Sequence, residues 1–260
     1  MTTIALCQIQ VSPDPSTNLK RARKALARAE GADLAILPEA ALTRYGRHLP
    51  RTAEPLDGPF VSGLAEDARE RGMAIIAGTF EPAGDRVHNT AVAIDATGSV
   101  RAAYRKIHLF DAFGARESEL VAPGDTPTVV ELAGLRVGLV TCYDLRFPEL
   151  TRNLVDLGAD LFAVIANWGS GPLKEEHWLT LVRARALENT TWTVAVGTAP
   201  NGEDAYGIGR SVAVDPLGVV VTDLGSSPDV RTVEVEQELT TQARMRLPCL
   251  EHRVLGVKRP

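Results

Sequence analysis

Four short segments of this chain are almost purely apolar: residues 4–7 (IALC), 34–37 (LAIL), 138–141 (GLVT) and 161–166 (LFAVIA). Runs of that length read as strands without a polar face, and such a strand must be covered on both sides. This excludes a single sheet with one face in water. Segments of helical period lie between these strands. Residues 17–30 carry Leu19, Ala22, Leu26 and Ala29 on one face, with Ser16 expected as N-cap and Gly31 as the stop. Residues 59–71 open on a proline and stop at Gly72, and residues 149–157 and 175–189 complete the helical set. Further strands are expected at 73–79 and 191–198, and hairpins at 87–94/99–106, 128–132/136–141 and 210–214/219–223.

The order of these segments repeats. Residues 91–100 (AVAIDATGSV) align with 211–220 (SVAVDPLGVV), matching at Val92/Val212, Ala93/Ala213, Asp95/Asp215, Gly98/Gly218 and Val100/Val220. The strands before them, AIIAGT (74–79) and TVAVGT (193–198), also match loosely. Both halves read strand–helix–strand–hairpin, which predicts two similar sheets about a pseudo-two-fold with helices outside. One domain over residues 1–260 is the natural reading.

Charge narrows the function classes. With 28 Lys and Arg against 33 Asp and Glu, the net charge of −5 leaves no basic footprint for nucleic acid or an anionic membrane. The longest uncharged run, Asn189–Gly202, is too short for a bilayer and contains Gly and Pro. The three cysteines, Cys7, Cys142 and Cys249, are an odd number without metal spacing. The first basic residue is Lys20, so no signal peptide is read, and a reducing, cytoplasmic setting is expected.

Active groups in α/β proteins gather beyond the carboxyl ends of strands. Cys142 ends the run RVGLVT and precedes a turn into a helix near Pro148, where a helix N-terminus would favour its thiolate. Cys7 lies inside a strand as a small buried hydrophobe, and Cys249 reads as structural. Glu39 follows LAIL and Pro38, and a carboxylate there can act as base and then acid. Lys106 closes the strand AAYRK, where an ammonium can stabilise an oxyanion. His108 and His177 are the available imidazoles, and neither sits in a Cys–His protease signature.

The ordered set Pro38-Glu39, Tyr104-Arg-Lys106-Ile-His-Leu and Thr141-Cys142-Tyr-Asp-Leu-Arg-Phe-Pro-Glu149 resembles the nitrilase superfamily of carbon–nitrogen hydrolases. It looks closest to the Nit/omega-amidase-like branch. The resemblance extends through ESELVAPGD (117–125), Asn167-Trp168, His177-Trp178, RARALEN (183–189) and LPCLEHR (247–253). It implies an α/β, four-layer α-β-β-α sandwich that pairs into a dimer and needs no metal or organic cofactor. It also implies hydrolysis of a non-peptide C–N bond, most simply in a small primary amide. Cys142 would be the nucleophile, Glu39 the base, Lys106 with the backbone N–H of Tyr143 the oxyanion donors, and Glu117 their support. A nitrile substrate, a silent small-molecule-binding protein and a redox role for Cys142 are the rival readings. The loop 112–116 (AFGAR) is shorter than in animal omega-amidase-like members, leaving a more open pocket.

Three expectations follow for recognition and assembly. Arg146, four residues past the thiol, either pairs with a substrate carboxylate or binds Asp144, Glu149 or a partner chain. Asn167 and Trp168 form the opposite wall, offering amide and indole donors. The stripe Trp178, Leu181, Val182 and Leu187 either meets a symmetry mate in a homodimer or faces its own sheet.

Overall fold

A computed structural model of the chain describes residues 1–202 and 206–256. The elements run β1 (Thr2–Gln8), α1 (Pro15–Arg28), β2 (Leu34–Ile36), α2 (Leu49–Thr52), α3 (Pro59–Arg71), β3 (Ala74–Ala83), β4 (Arg86–Ile94) and β5 (Val100–Arg105). They continue as β6 (Val129–Leu132), β7 (Leu135–Thr141), α4 (Pro148–Asp156), β8 (Leu161–Ala166), α5 (Lys174–Asn189) and β9 (Trp192–Gly197). The last are β10 (Val212–Val214), β11 (Val220–Asp223), β12 (Asp229–Val235) and α6 (Gln237–Arg246).

Two sheets form, with orders β12-β1-β2-β3-β4-β5 and β11-β10-β9-β8-β7-β6. In each, three parallel strands are flanked by antiparallel ones. The apolar runs explain the layering. Along β1, Ile4 and Leu6 join the core shared with the second sheet, while Ala5 and Cys7 point the other way, toward Ala22 and Leu26 of α1 and Phe60 and Leu64 of α3. On the second sheet the outer cover is α4 and α5, through Leu150, Leu154, Trp178 and Val182. The result is the expected four-layer sandwich.

The repeat holds in detail. Each sheet has a β-bulge at the matching place, between Ala93 and Ile94 and between Ala213 and Val214. Asp95 Oδ1 accepts from the Thr97 and Ser99 N–H groups, and Asp215 Oδ1 from those of Leu217 and Val219. Gly98 and Gly218 follow at φ 80° and 79°.

One local expectation changes, and two elements lie where none was expected. The N-cap of α1 is Asp14, not Ser16: Pro15 at N1 has no N–H, and the Asp14 carboxylate accepts from the Thr17 N–H at 2.9 Å. β12 and α6 had no expectation. β12 pairs antiparallel with β1 and takes the place in the first sheet that β6 takes in the second. The α5 stripe mostly faces its own sheet, since Trp178 and Val182 are fully buried, while Leu187 is exposed beside the Gly218 turn.

Candidate active site

The carboxyl ends of β2 and β7 and the end of β5 converge on a cavity of about 250 Å³. Glu39, Lys106, Glu117, Cys142, Tyr143, Arg146, Asn167 and Trp168 all line it. His108 and His177 do not.

Glu39 reaches this point because its loop crosses β3 at Gly78. A Cβ on Gly78 would stand 2.6 Å from the Glu39 Cα and the Ala40 nitrogen, so only glycine allows the crossing. The carboxylate is buried and each oxygen is engaged. Oε1 accepts from Asn89 Nδ2 at 2.7 Å and Lys106 Nζ at 3.3 Å, and Oε2 accepts from the Asn167 N–H at 2.6 Å. That last bond ties the first sheet to the second.

Lys106 follows β5 directly, and its ammonium is buried. It donates to both Glu117 oxygens, at 3.1 and 2.8 Å, as well as to Glu39. Burial alone would lower its pKa, but the charges of Glu39 and Glu117 outweigh that and hold it well above the usual lysine value. Glu117 sits on a short 3-10 turn and is fixed by the Phe110 N–H at 2.6 Å.

Cys142 begins a second 3-10 turn, Cys142–Arg146, at φ 50°, in the left-handed region. Asp144 anchors the turn. Its Oδ2 accepts from the Tyr104 hydroxyl at 2.7 Å and the Thr141 N–H at 3.1 Å, and its Oδ1 accepts from the His108 N–H and Nδ1. As second residue of the turn, Tyr143 has an N–H without an intrahelical acceptor.

The thiol itself differs from expectation. Burial pushes its pKa well up, the Glu39 charge and hydrogen bond push it further, and Lys106 pulls the other way without winning. This balance favours the neutral thiol beside the Glu39 carboxylate over the thiolate expected at the turn's N-terminus. Such a triad can deprotonate sulfur only as it attacks.

The outer wall is cationic and aromatic. Arg146 does not pair with Asp144, whose oxygens are taken, nor with Glu149. Among the described residues no carboxylate lies within ion-pair distance of Arg146. Its guanidinium lies 5.0 Å from the Trp168 ring centroid and 3.4 Å from His177 Nδ1. The Trp168 indole N–H donates to the Lys174 carbonyl at 3.0 Å, so Trp168 offers the cavity a ring face and not the expected donor. Tyr143 stands edge-on to Phe110 and Phe147.

Sequence reasoning does not reach four of the residues here: Asn89, Lys174, Phe113 and Tyr206. Lys174 lies 3.9 Å above the Phe113 ring, and burial followed by the charge of Arg146 lowers its pKa. Phe113 comes from the short 112–116 loop, which thus builds part of the wall. Tyr206, 43% exposed, also lines the cavity. The one available signal was Asn89, a polar amide in mid-strand where such residues are disfavoured. Among the described residues no three His, Cys, Asp or Glu side chains converge as metal ligands.

The model of the carbon-nitrogen hydrolase family matches residues 3–245 of the chain. The chain belongs to the carbon-nitrogen hydrolase family. This hydrolase is 43% identical over 264 residues to a hydrolase of Mycobacterium tuberculosis, covering 96% of this chain and 94% of that one. It is 39% identical over 225 residues to the deaminated glutathione amidase of Escherichia coli O157:H7, covering 85% and 84%. A Xanthomonas campestris hydrolase of the same superfamily, solved with an arsenic adduct in its active site, superposes with a TM-score of 0.90 at 30% identity, covering 99% of both chains. The hydrolase is thus a nitrilase-superfamily enzyme with the sandwich its sequence implied.

Proposed function

We propose that this enzyme is an amidase, acting through residues 1–260 as one domain, that hydrolyses the primary amide of a small acid bearing a second, anionic group. The observation that carries the amidase reading is the convergence on one cavity of the Cys142 thiol, Glu39 and Lys106, with Lys106 Nζ donating to Glu39 Oε1 at 3.3 Å. Glu39 takes the thiol proton as sulfur adds to the amide carbonyl. Lys106 and the Tyr143 N–H receive the oxyanion. Glu39 returns the proton to nitrogen, the C–N bond breaks, and ammonia leaves a Cys142 thioester. Water, losing a proton to Glu39, then releases the acid and restores the thiol. Glu117 keeps Lys106 charged and aimed between the two.

The second, anionic group is supported by Arg146 and Lys174. Both line the cavity, and no described carboxylate is within ion-pair distance of either. A substrate carboxylate would supply the missing partner. Asn167 and Trp168 form the facing wall.

The test is ammonia release from a panel of dicarboxylic acid mono-amides, uncharged amides and nitriles, with mass analysis for an acyl group on Cys142. Amide turnover with an acyl–Cys142 species is expected. Turnover of nitriles alone would replace the amidase reading, and turnover of nothing would leave a silent binding protein.

We also propose that the chain works as a homodimer with a small-molecule substrate and no nucleic acid or membrane partner. Exposed Leu187, Leu217, Val219 and Val221 offer an apolar surface for a second copy. A monomeric mass at micromolar concentration would refute the dimer.

A further inference from the structure

Asn89 lies on β4, outside the cavity lining, and is buried. One side-chain amide group touches both acidic residues of the site. Asn89 Nδ2 donates to Glu39 Oε1 at 2.7 Å and to Glu117 Oε1 at 3.2 Å. Its backbone carbonyl accepts from the Lys106 N–H at 2.8 Å. A single residue thus holds the three groups that flank the thiol. Two carboxylate oxygens facing one group require a donor, which fixes the amide orientation. The side-chain oxygen Oδ1 of Asn89 has no hydrogen-bond partner among the described residues. A buried amide with an unmet acceptor is costly, and Asn89 stands in mid-strand, where asparagine packs poorly.

We infer that Asn89 is a positioning residue that sets the orientation and charge state of the base. The inference rests on the reading of Glu39 as base. The amide supplies two N–H groups between carboxylates that would otherwise repel, without adding charge. It leaves Lys106 as the sole cation among them. The groups facing Glu39 are Asn89 and Lys106 from the first sheet, Glu117 from its turn, Cys142 and the Asn167 N–H from the second sheet, and the Tyr45 and Tyr206 phenols.

The test uses Asn89→Asp and Asn89→Ala in the full chain. Asn89→Asp keeps the shape and adds a third carboxylate beside Glu39. The added charge stabilises the protonated base, so the acid limb of kcat/KM should move up by about one pH unit or more. Asn89→Ala removes the donors, and the limb should move the same way by less. In both, kcat should fall by ~10²-fold with KM little changed, because Asn89 does not touch substrate. The rate of Cys142 alkylation by iodoacetamide against pH reports the same base without turnover. Its acid limb should follow kcat/KM. A folded variant of either kind with wild-type alkylation and pH profiles overturns the inference, as does a rise in KM at constant kcat. If Asn89→Asp does not fold, Asn89→Ala decides. If no amide is turned over, the amidase reading falls, while alkylation still decides the role of Asn89.

Discussion

The sandwich has two corners built alike, and only one of them opens a cavity lined by Cys142, Glu39 and Lys106. Aligning the halves by strand register, with Val92 on Val212, sets Lys106 against Ser226 and Asn89 against Gly209. The same register carries through β3/β9 and β2/β8 to β1/β7, setting Glu39 against Ala166 and Cys142 against Ile9. In the second corner the space is plugged. Gln8 Oε1 accepts from the Ser211 N–H and hydroxyl, and its Nε2 donates to the Gly225 and Ser227 carbonyls. A Cβ on Gly209 would meet Gln8 Nε2 at 2.9 Å, so no side chain fits where Asn89 stands in the working corner. The comparison teaches that the repeated scaffold supplies strand ends and turns. A few charged residues placed there line an open cavity, and the same geometry with neutral residues closes into ordinary core.

The sharpest way to break the comparison is to make the working corner as inert as its counterpart. Cys142→Ala should lower turnover by ~10⁴-fold or more while the fold survives, since the side chain lost is small. Ammonia release by purified variant at wild-type rates would mean that another group is the nucleophile.

Next in size is the lysine pair. Lys106→Met leaves Glu39 and Glu117 as buried, uncompensated carboxylates and should cost about 3–5 kcal/mol of stability, with kcat down ~10²–10³-fold. Ser226→Ala, the same register position in the quiet corner, should leave kcat/KM and Tm near wild type. Equal effects at the two positions would end the claim that the corners differ in kind.

Arg146→Gln probes the wall that the quiet corner lacks. The preference for an anionic mono-amide over its uncharged analogue should shrink by ~1.5–3 kcal/mol in kcat/KM. Equal loss on both substrates would return Arg146 to its contacts with Trp168 and His177. The smallest effect on turnover should come from Gln8→Ala. It strands several buried polar groups and should lower stability by ~1–3 kcal/mol, measured by denaturant midpoint, with kcat/KM unmoved. A fall in kcat/KM there would show that the quiet corner reaches the chemistry.

Much of this was legible before any coordinates. β8 falls at the expected residues because LFAVIA is uniformly apolar and bounded by polar ones, and α3 because Pro59 and Gly72 punctuate it. The order Glu39, Lys106, Cys142 was legible because each follows a strand, and strand ends are where this fold opens. β12 was not, because DVRTVEV alternates charged with apolar residues on a strand with one exposed face, a weaker signal than a doubly buried run. Asn89 and Lys174 escaped for another reason. Lys174 acquires meaning only through residues brought in from other elements, and Asn89 shows in the sequence only as an amide in mid-strand, a signal that does not name the carboxylates it meets. The Asp14 cap was less legible because Asp and Ser cap about equally well, and only Pro15 at the first helical position singles out Asp14.

The neutral state of the Cys142 thiol has a consequence for durability. Peroxides attack thiolates, and exposure and thiolate character together decide which cysteines are damaged. A half-buried sulfur whose pKa is held above the ordinary value, beside the Glu39 carboxylate, favours the neutral thiol over the thiolate. On the proposed mechanism, an idle enzyme would resist oxidants better than one turning over, because only a bound substrate draws the proton away.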